Sequence, residues 1–271
     1  MRTGYPYLDA VLGDDDGSTR GVLAFAHRGG AFHPELEGLE NTMAAFRHAV
    51  DLGYRYLETD VHATRDGVLL AFHDAALDRV TGHHGSVAEL TGADVSAALI
   101  GGREQIPTMA SLLEEFPDAR FNIDLKSSQA VQPLAALVHA TGAYDRICVG
   151  SFSARRIRRF RRLVGDRVAT AADPVEVAAY RFGPAALTGL LRRSPAAALQ
   201  VPRRHRGVPV ATPALIERAH AAGKHVHVWT VDDPAGMEEL IELGVDGIFT
   251  DRTDLLREVL VARGLWDGAR R

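Results

Sequence analysis

Apolar positions in this chain alternate between short continuous runs and longer stretches at helical spacing. Val22–Ala26 is an apolar run ending at His27 and reads as a first buried strand. Thr42–Leu52 carries Met43, Phe46, Ala49 and Val50 at helical spacing and stops at Gly53, which predicts a helix. Tyr54–Val61 reads as a second strand. Only a six-residue connection containing Asp66-Gly67 separates it from the apolar run Val68–Phe72. Parallel neighbours need a crossover of a dozen or more residues, so the spacing predicts an antiparallel hairpin. The hairpin and the glycine-rich stretch after it, residues 62–107, form an insertion of loops and short helical turns.

Beyond the insertion the alternation is regular. Helical Thr108–Phe116 leads to strand Arg120–Leu125, and helical Gln129–Thr141 to strand Arg146–Gly150. Helical Ser153–Val164 leads to strand Val168–Ala171. Helical Pro174–Arg192, broken near Gly183-Pro184, leads to a short strand at Ala198–Val201. Helical Pro213–Ala222 and strand His225–Val231 follow, then helical Pro234–Leu243, strand Val245–Thr250 and a closing helix Thr253–Arg263. With the hairpin set aside, eight strands alternate with helices, the pattern of a single α/β domain folded as a (β/α)8 barrel over residues 1–271. A doubly wound open sheet is the alternative, and the lack of G-x-G-x-x-G after the first strand weighs against it. Residues 1–20 read as a lead-in with a polar, Gly- and Asp-rich loop.

Composition narrows the function classes. The chain is 46% hydrophobic and 24% charged, enough for a sizeable core. A net charge of −4 gives no general attraction to nucleic acid or anionic membranes. The single cysteine, Cys148, excludes an internal disulfide. No apolar run approaches a membrane span, and the N-terminus lacks a signal-peptide pattern, so the expectation is a cytoplasmic protein.

In a (β/α)8 barrel, reactive groups sit at the carboxyl ends of the strands. Polar residues collect there: His27-Arg28, Glu58 and Asp60, Asp124 and Lys126, Ser151, Trp229 and Asp232, and Asp251. Glu58 and Asp60 lie two apart on a strand and share a face, as do Asp124 and Lys126. Carboxylates aimed together repel unless something positive intervenes, and a hard divalent cation is the usual answer. A buried ion-pair network with Arg28 and Lys126 is the structural alternative. With no H-E-x-x-H or Cys/His cluster, oxygen-ligated Mg²⁺ or Ca²⁺ is expected rather than Zn²⁺. His27 and His73 face the carboxylates, whereas His62, His225 and His227 read as structural and His83 and His84 as loop residues. Arg155, Arg156, Arg158, Arg159, Arg161 and Arg162 crowd one helix, with Ile157, Phe160, Leu163 and Val164 as its apolar stripe, so the arginines read as a solvated face.

Taken together, His27-Arg28-Gly29-Gly30, Glu40-Asn41-Thr42, Glu58-Thr59-Asp60-Val61 and Thr64-x-Asp66-Gly67 resemble the glycerophosphodiester phosphodiesterase family. His73-Asp74, Leu77-x-Arg79-x-Thr81-Gly82, Asn122-Ile123-Asp124-Leu125-Lys126, Ser151-Phe152, Trp229-Thr230-Val231 and Gly244 to Asp251 extend the likeness, which runs from about residue 22 to 256. The resemblance implies metal-dependent hydrolysis of a glycerophosphodiester to glycerol 3-phosphate and an alcohol. It implies one divalent cation (Mg²⁺ or Ca²⁺, with Mn²⁺ a further option) on Glu58, Asp60 and Asp124, and His27 and His73 as the acid/base pair. Arg28 and Lys126 would then meet the phosphate, and Trp229 and Asp232 the glycerol or head group, with Glu40 and Asn41 in support. Two positions depart from the family pattern. Asp124 stands where Glu is common, one methylene shorter, and Asp232 where Asn is frequent. Other readings are a lysophospholipase D, a cyclising phospholipase-type enzyme, and a non-catalytic barrel that binds phosphorylated ligands. The expected partner is a small-molecule diester, with no nucleic acid and no membrane span; oligomeric state is left open.

Overall fold

The computed structural model describes residues 3–9, 21–184 and 188–266. Its main strands are β1 (Leu23–His27), β2 (Tyr56–Ala63), β3 (Leu69–Ala71), β4 (Arg120–Leu125) and β5 (Ile147–Gly150). β6 (Ala169–Thr170), β7 (Ala198–Pro202), β8 (His225–Trp229) and β9 (Gly247–Thr250) complete them. Leaving out β3, eight strands run parallel in the order β6-β5-β4-β2-β1-β9-β8-β7. A parallel bridge from Ala171 to Ala198 joins the two ends of that order. The sheet therefore curls into the predicted barrel, and the open-sheet alternative falls.

β3 pairs antiparallel with β2, Val61 opposite Ala71 and Ala63 opposite Leu69, as the short Asp66-Gly67 connection requires. Thr64 Oγ accepts the Val68 N–H at 2.9 Å, and Gly67 takes a φ of 87° that turns the chain. The insertion beyond it has its own small core of Leu70, Phe72, Leu77, Val87, Val95, Ala98, Ile100 and Ile106. It is thereby rigid enough to carry a site residue.

The helices start where the sequence supplies a cap. Thr42, Thr108, Ser153, Thr212 and Asp233 each accept a backbone N–H in the first turn of the helix that follows. Asp173 and Glu176 form a reciprocal capping box. The helix at Pro174–Phe182 stops at Gly183, where the sequence predicts a break; residues 185–187 of the predicted stretch lie outside the described residues. Among the described residues no helix is long and apolar enough to cross a membrane.

Two cores meet at the barrel wall. The larger lies between strands and helices; the smaller fills the barrel interior with Leu23, Phe25, Tyr56, Cys148, Ala169, Ala197 and Phe249. The lead-in segment is more than a polar stretch, and the Gly- and Asp-rich loop expected within it lies in residues 10–20, outside the described residues. Pro6–Asp9 is a helical turn whose Tyr7 and Leu8 are fully buried against that interior cluster. Tyr7 packs edge-on to Tyr56 at 5.3 Å and its carbonyl accepts the Tyr56 hydroxyl at 2.7 Å. A barrel mouth open at one end needs its other end stoppered against water, and these two side chains do that.

The arginine-rich helix, Ala154–Val164, is partly as expected. Arg155, Arg158, Arg159 and Arg162 are exposed. Arg156 instead donates to the Leu125 carbonyl, and Arg161 reaches Glu176 at 3.2 Å.

Candidate active site

The turn after β1 is folded tightly for steric reasons. A Cβ on Gly29 would stand 2.7 Å from the Ala45 Cβ, and one on Gly30 would stand 2.8 Å from the Thr253 side chain. Both glycines also have φ near 90°, so larger residues are excluded twice over. Arg28 and Asn41 adopt left-handed φ of 50° and 58°, and the Asn41 N–H donates to the Arg28 carbonyl at 2.9 Å. For an arginine this is a backbone cost of about 1–3 kcal/mol, tolerated where the surroundings force it. It aims the Arg28 guanidinium across the mouth.

Register then sets the rest. Glu58 pairs with His27 across β1 and β2, and Asp60 pairs with Asp124 across β2 and β4. His27, Arg28, Glu58, Asp60, His73, Asp124, Lys126 and Trp229 all line one cavity of about 510 Å³. The hairpin delivers His73 over the end of β2, with the Phe72 N–H donating to the Asp60 carbonyl at 2.9 Å. His62 supports that placement by donating to the His73 carbonyl at 3.1 Å.

The cluster is charge-dense and mostly paired. Lys126 Nζ lies 2.9 Å from Asp60 and 2.7 Å from Asp124, while Arg28 Nε lies 3.2 Å from Asp60. Burial opposes charge on Asp60, yet Lys126 and Arg28 outweigh it and hold its carboxyl below the ordinary range. Burial and the neighbouring Asp60 charge push Glu58 the other way, up to about 7. Lys126 is disfavoured by burial, but Asp124 and Asp60 carry it to about 12.

Each histidine is held through Nδ1 by a carboxylate. His27 Nδ1 donates to Asp251 Oδ1 at 2.8 Å and lies within 3.7 Å of Glu58 through Nε2. Burial would lower its pKa; Glu58 and Asp251 together override that and raise it to about 9. His73 Nδ1 donates to Asp74 Oδ1 at 2.5 Å. Asp74 is clamped by Arg79 at 2.6 Å, and Arg79 also binds Glu40 at 2.6 Å. Glu40 contacts Arg28 at 3.2 Å, so one chain of charges links the His73 loop to Arg28.

Asp232, expected at the substrate, does not line the cavity. Its Oδ1 accepts the Asp251 N–H at 2.7 Å and the Thr250 hydroxyl at 3.0 Å. Asn41 also sits behind the mouth, donating to Asp60 at 3.4 Å and accepting from Thr59 at 2.7 Å. Three further groups belong to the site. Asp251 stands at a strand end and Asp74 beside a candidate histidine, both visible positions. Gln200 had no signal beyond being the one polar residue in a short strand; it donates to Asn122 at 2.6 Å on the cavity floor.

The donors at the mouth suit a hard cation. Glu58, Asp60 and Asp124 offer carboxylate oxygens, and Asp124 Oδ1 is buried with no hydrogen-bond partner. The three carboxylates do not bring one oxygen each within 4.8 Å of one another, because the Lys126 ammonium stands between two of them. A cation held by all three would require that ammonium to leave its contacts.

A closed parallel barrel whose mouth gathers two clamped histidines, three acids, a guanidinium and an ammonium has the groups for acid/base chemistry on an anionic substrate. The chain belongs to the glycerophosphoryl diester phosphodiesterase family, whose model matches residues 27–255. It is 45% identical over 254 residues to the probable glycerophosphodiester phosphodiesterase 2 of Mycobacterium tuberculosis, covering 92% of this chain and 94% of that one. Its fold is similar to that of a protein described as a putative glycerophosphoryl diester phosphodiesterase from Silicibacter pomeroyi, with TM-score 0.77, 24% identity, and 96% and 99% of the two chains covered. It is also similar to an Oleispira antarctica phosphodiesterase solved in complex with the product sn-glycerol-3-phosphate. There the TM-score is 0.73, the identity 19%, and the coverage 89% and 97%.

Proposed function

We propose that this mouth hydrolyses glycerophosphodiesters to glycerol 3-phosphate and an alcohol, with His27 and His73 as the acid/base pair. The chain is a phosphoric diester hydrolase by family. The observation that carries the residue roles is that His27 and His73 line one cavity, each fixed through Nδ1 by a carboxylate. That leaves Nε2 of each ring as the exchangeable position. One ring takes a proton from the attacking oxygen, and the other gives one to the leaving alcohol. Arg28 and Lys126 offset charge on the non-bridging phosphate oxygens, Arg28 with a fork suited to two of them. Glu40 holds Arg28, and Asn41 holds Asp60. Asp232 acts one step back, by holding the Asp251 backbone that positions His27.

Glu58, Asp60 and Asp124 are the residues that would hold a divalent cation, Mg²⁺ or Ca²⁺, with Mn²⁺ as a further option. When bound it supplies Lewis-acid stabilisation of charge developing on phosphate oxygen. Trp229 forms an apolar wall, packed edge-on to the exposed Phe152 at 5.7 Å. Phe152, Val177, Phe182 and Val210 continue that wall outward. An acyl-bearing diester would find apolar contacts there, so a lysophospholipid is the second substrate to test.

The deciding experiment measures glycerol phosphate released from glycerophosphocholine, with EDTA and then with Mg²⁺, Ca²⁺ or Mn²⁺ restored. Turnover abolished by EDTA and recovered with one of the three is the expected result. His27→Ala and His73→Ala should each lower turnover by roughly 10²–10⁴-fold with the fold retained. Near-normal turnover in either variant removes that histidine from the mechanism. No turnover of glycerophosphocholine or lysophosphatidylcholine with any of these metals would refute the substrate assignment.

A further inference from the structure

Outside the mouth, on the loop after β1 and the helix Met43–Asp51, His33, Glu35 and His48 each offer a ligand atom. These three atoms lie within 4.8 Å of one another, and among the described residues no other group of three His, Cys, Asp or Glu does so. We propose that they form a binding site for one divalent transition-metal ion of the Zn²⁺ type, separate from the carboxylate cluster.

Local structure explains how they meet. His33 precedes the short turn Pro34–Leu36 and caps it, its Nδ1 accepting the Glu35 N–H at 3.2 Å. That bond bends Glu35 back beside the ring. His48 lies in the second turn of the helix capped by Thr42, and its ring centroid is 4.2 Å from that of His33 at an interplanar angle of 53°. Glu35 Oε2 is 3.5 Å from His48 Nε2, and the Glu35 side chain is 76% exposed. The carboxylate side of the site is thus open for an ion to enter.

The polar accounting also points to a ligand. His48 Nδ1 is buried with no hydrogen-bond partner. His33 is a buried residue whose ring makes one weak hydrogen bond, to a backbone N–H. So little hydrogen bonding leaves His48 Nε2, 3.5 Å from the Glu35 carboxylate, available to a metal, although the buried Nδ1 is not itself satisfied by it. Coordination of His33 through Nε2 would move its proton to Nδ1 and lose the 3.2 Å contact, one weak bond exchanged for a metal–nitrogen bond. Two imidazoles and a carboxylate are a zinc donor set with room for water in a fourth position. The predicted ligands at the mouth are carboxylate oxygens, which favour harder ions, and its two histidines are each tied through Nδ1 to a carboxylate. The two sites should therefore sort metals by softness. The Phe32 N–H donates to the Asp251 carbonyl at 3.0 Å, so the loop that holds this site also touches the residue behind His27.

The test is equilibrium dialysis of the full chain against Zn²⁺ in excess Mg²⁺, so that oxygen-only donors are occupied by the harder ion. The expected result is one Zn²⁺ per chain, bound at least tenfold more weakly by His48→Gln and by Glu35→Gln. Zinc-edge X-ray absorption should show imidazole nitrogen in the shell. Glu35→Gln alters an exposed side chain and keeps the test valid if His48→Gln does not fold. No retained Zn²⁺, retention undiminished in the variants, or an all-oxygen shell would each overturn the proposal. The first outcome would leave His33, Glu35 and His48 as a packed pair of tilted imidazoles beside a carboxylate.

Discussion

Asp251 is the residue whose role is most sharply testable. Its Oδ1 holds His27 Nδ1 at 2.8 Å, and the contact is mostly buried. Asp251→Asn keeps the shape, the Asp251 N–H bond to Asp232 and the carbonyl bond from Phe32. It removes the negative charge and introduces an NH₂ that can donate to Nδ1. The donated bond would place the His27 proton on Nε2, the position proposed to exchange with substrate. In a comparable Ser-His-Asp arrangement such a tautomer reversal costs about 10⁴ in kcat. Here Glu58 still supports the ring from 3.7 Å, so a fall of roughly 10²–10⁴ in kcat/KM is expected, about 3–5 kcal/mol of transition-state stabilisation. The His27 pKa, raised to about 9 by Glu58 and Asp251 against burial, should also come down. Any limb of the pH–rate profile that reports His27 would then move to lower pH. The assay is glycerol phosphate release from glycerophosphocholine between pH 6 and 10, alongside thermal melts to verify folding. A kcat/KM within about threefold of the parent, with the profile unmoved, would refute the argument.

Two stability predictions follow from the barrel interior. Tyr7→Ala removes a fully buried aromatic from the closed end of the barrel and should cost about 3–5 kcal/mol, on the order of 10 °C in Tm; a loss below about 1 kcal/mol would show that the segment does not stopper the barrel. His227 is fully buried, and burial with a smaller effect of His225 depresses its pKa to about 3. Its unfolded value is near 6.5. Above that value neither state is protonated there; between about 6.5 and 3 only the unfolded state takes the proton, so stability is lost as pH falls. The loss approaches 1.4 kcal/mol per pH unit in that window. Denaturant melts between pH 6.5 and 4 should show a shallower decline for His227→Gln, and an identical decline would rule out the linkage.

Much of the architecture could be read along the chain because its causes are local. The hairpin followed from six residues between two apolar runs, and helices such as that of Thr42–Leu52 from apolar positions at helical spacing. Glu58 and Asp60, and Asp124 and Lys126, could be assigned a common face because a strand alternates with period two. Those same rules located the strand ends at which His27, Arg28, Trp229 and Asp251 appear.

What they could not supply is which group meets which. Asp251 lies 224 residues from the histidine it holds, and no local pattern marks that pairing. Lys126 bridges Asp60 and Asp124 only because strand register sets Asp60 opposite Asp124. The same is true of Asp232, whose position after Trp229 suggested substrate but whose carboxylate turns back to the Asp251 backbone. Tyr7 looked like lead-in until the barrel formed a cavity for it, and His33 and His48 meet across a loop and a helix face. Periodicity and capping are properties of a few neighbouring residues, so the sequence by itself determined the elements and the face each side chain takes. Partner choice depends on closure, register and the path of loops, which exist only once the whole barrel is assembled, and so the tertiary structure alone decided how the site is wired.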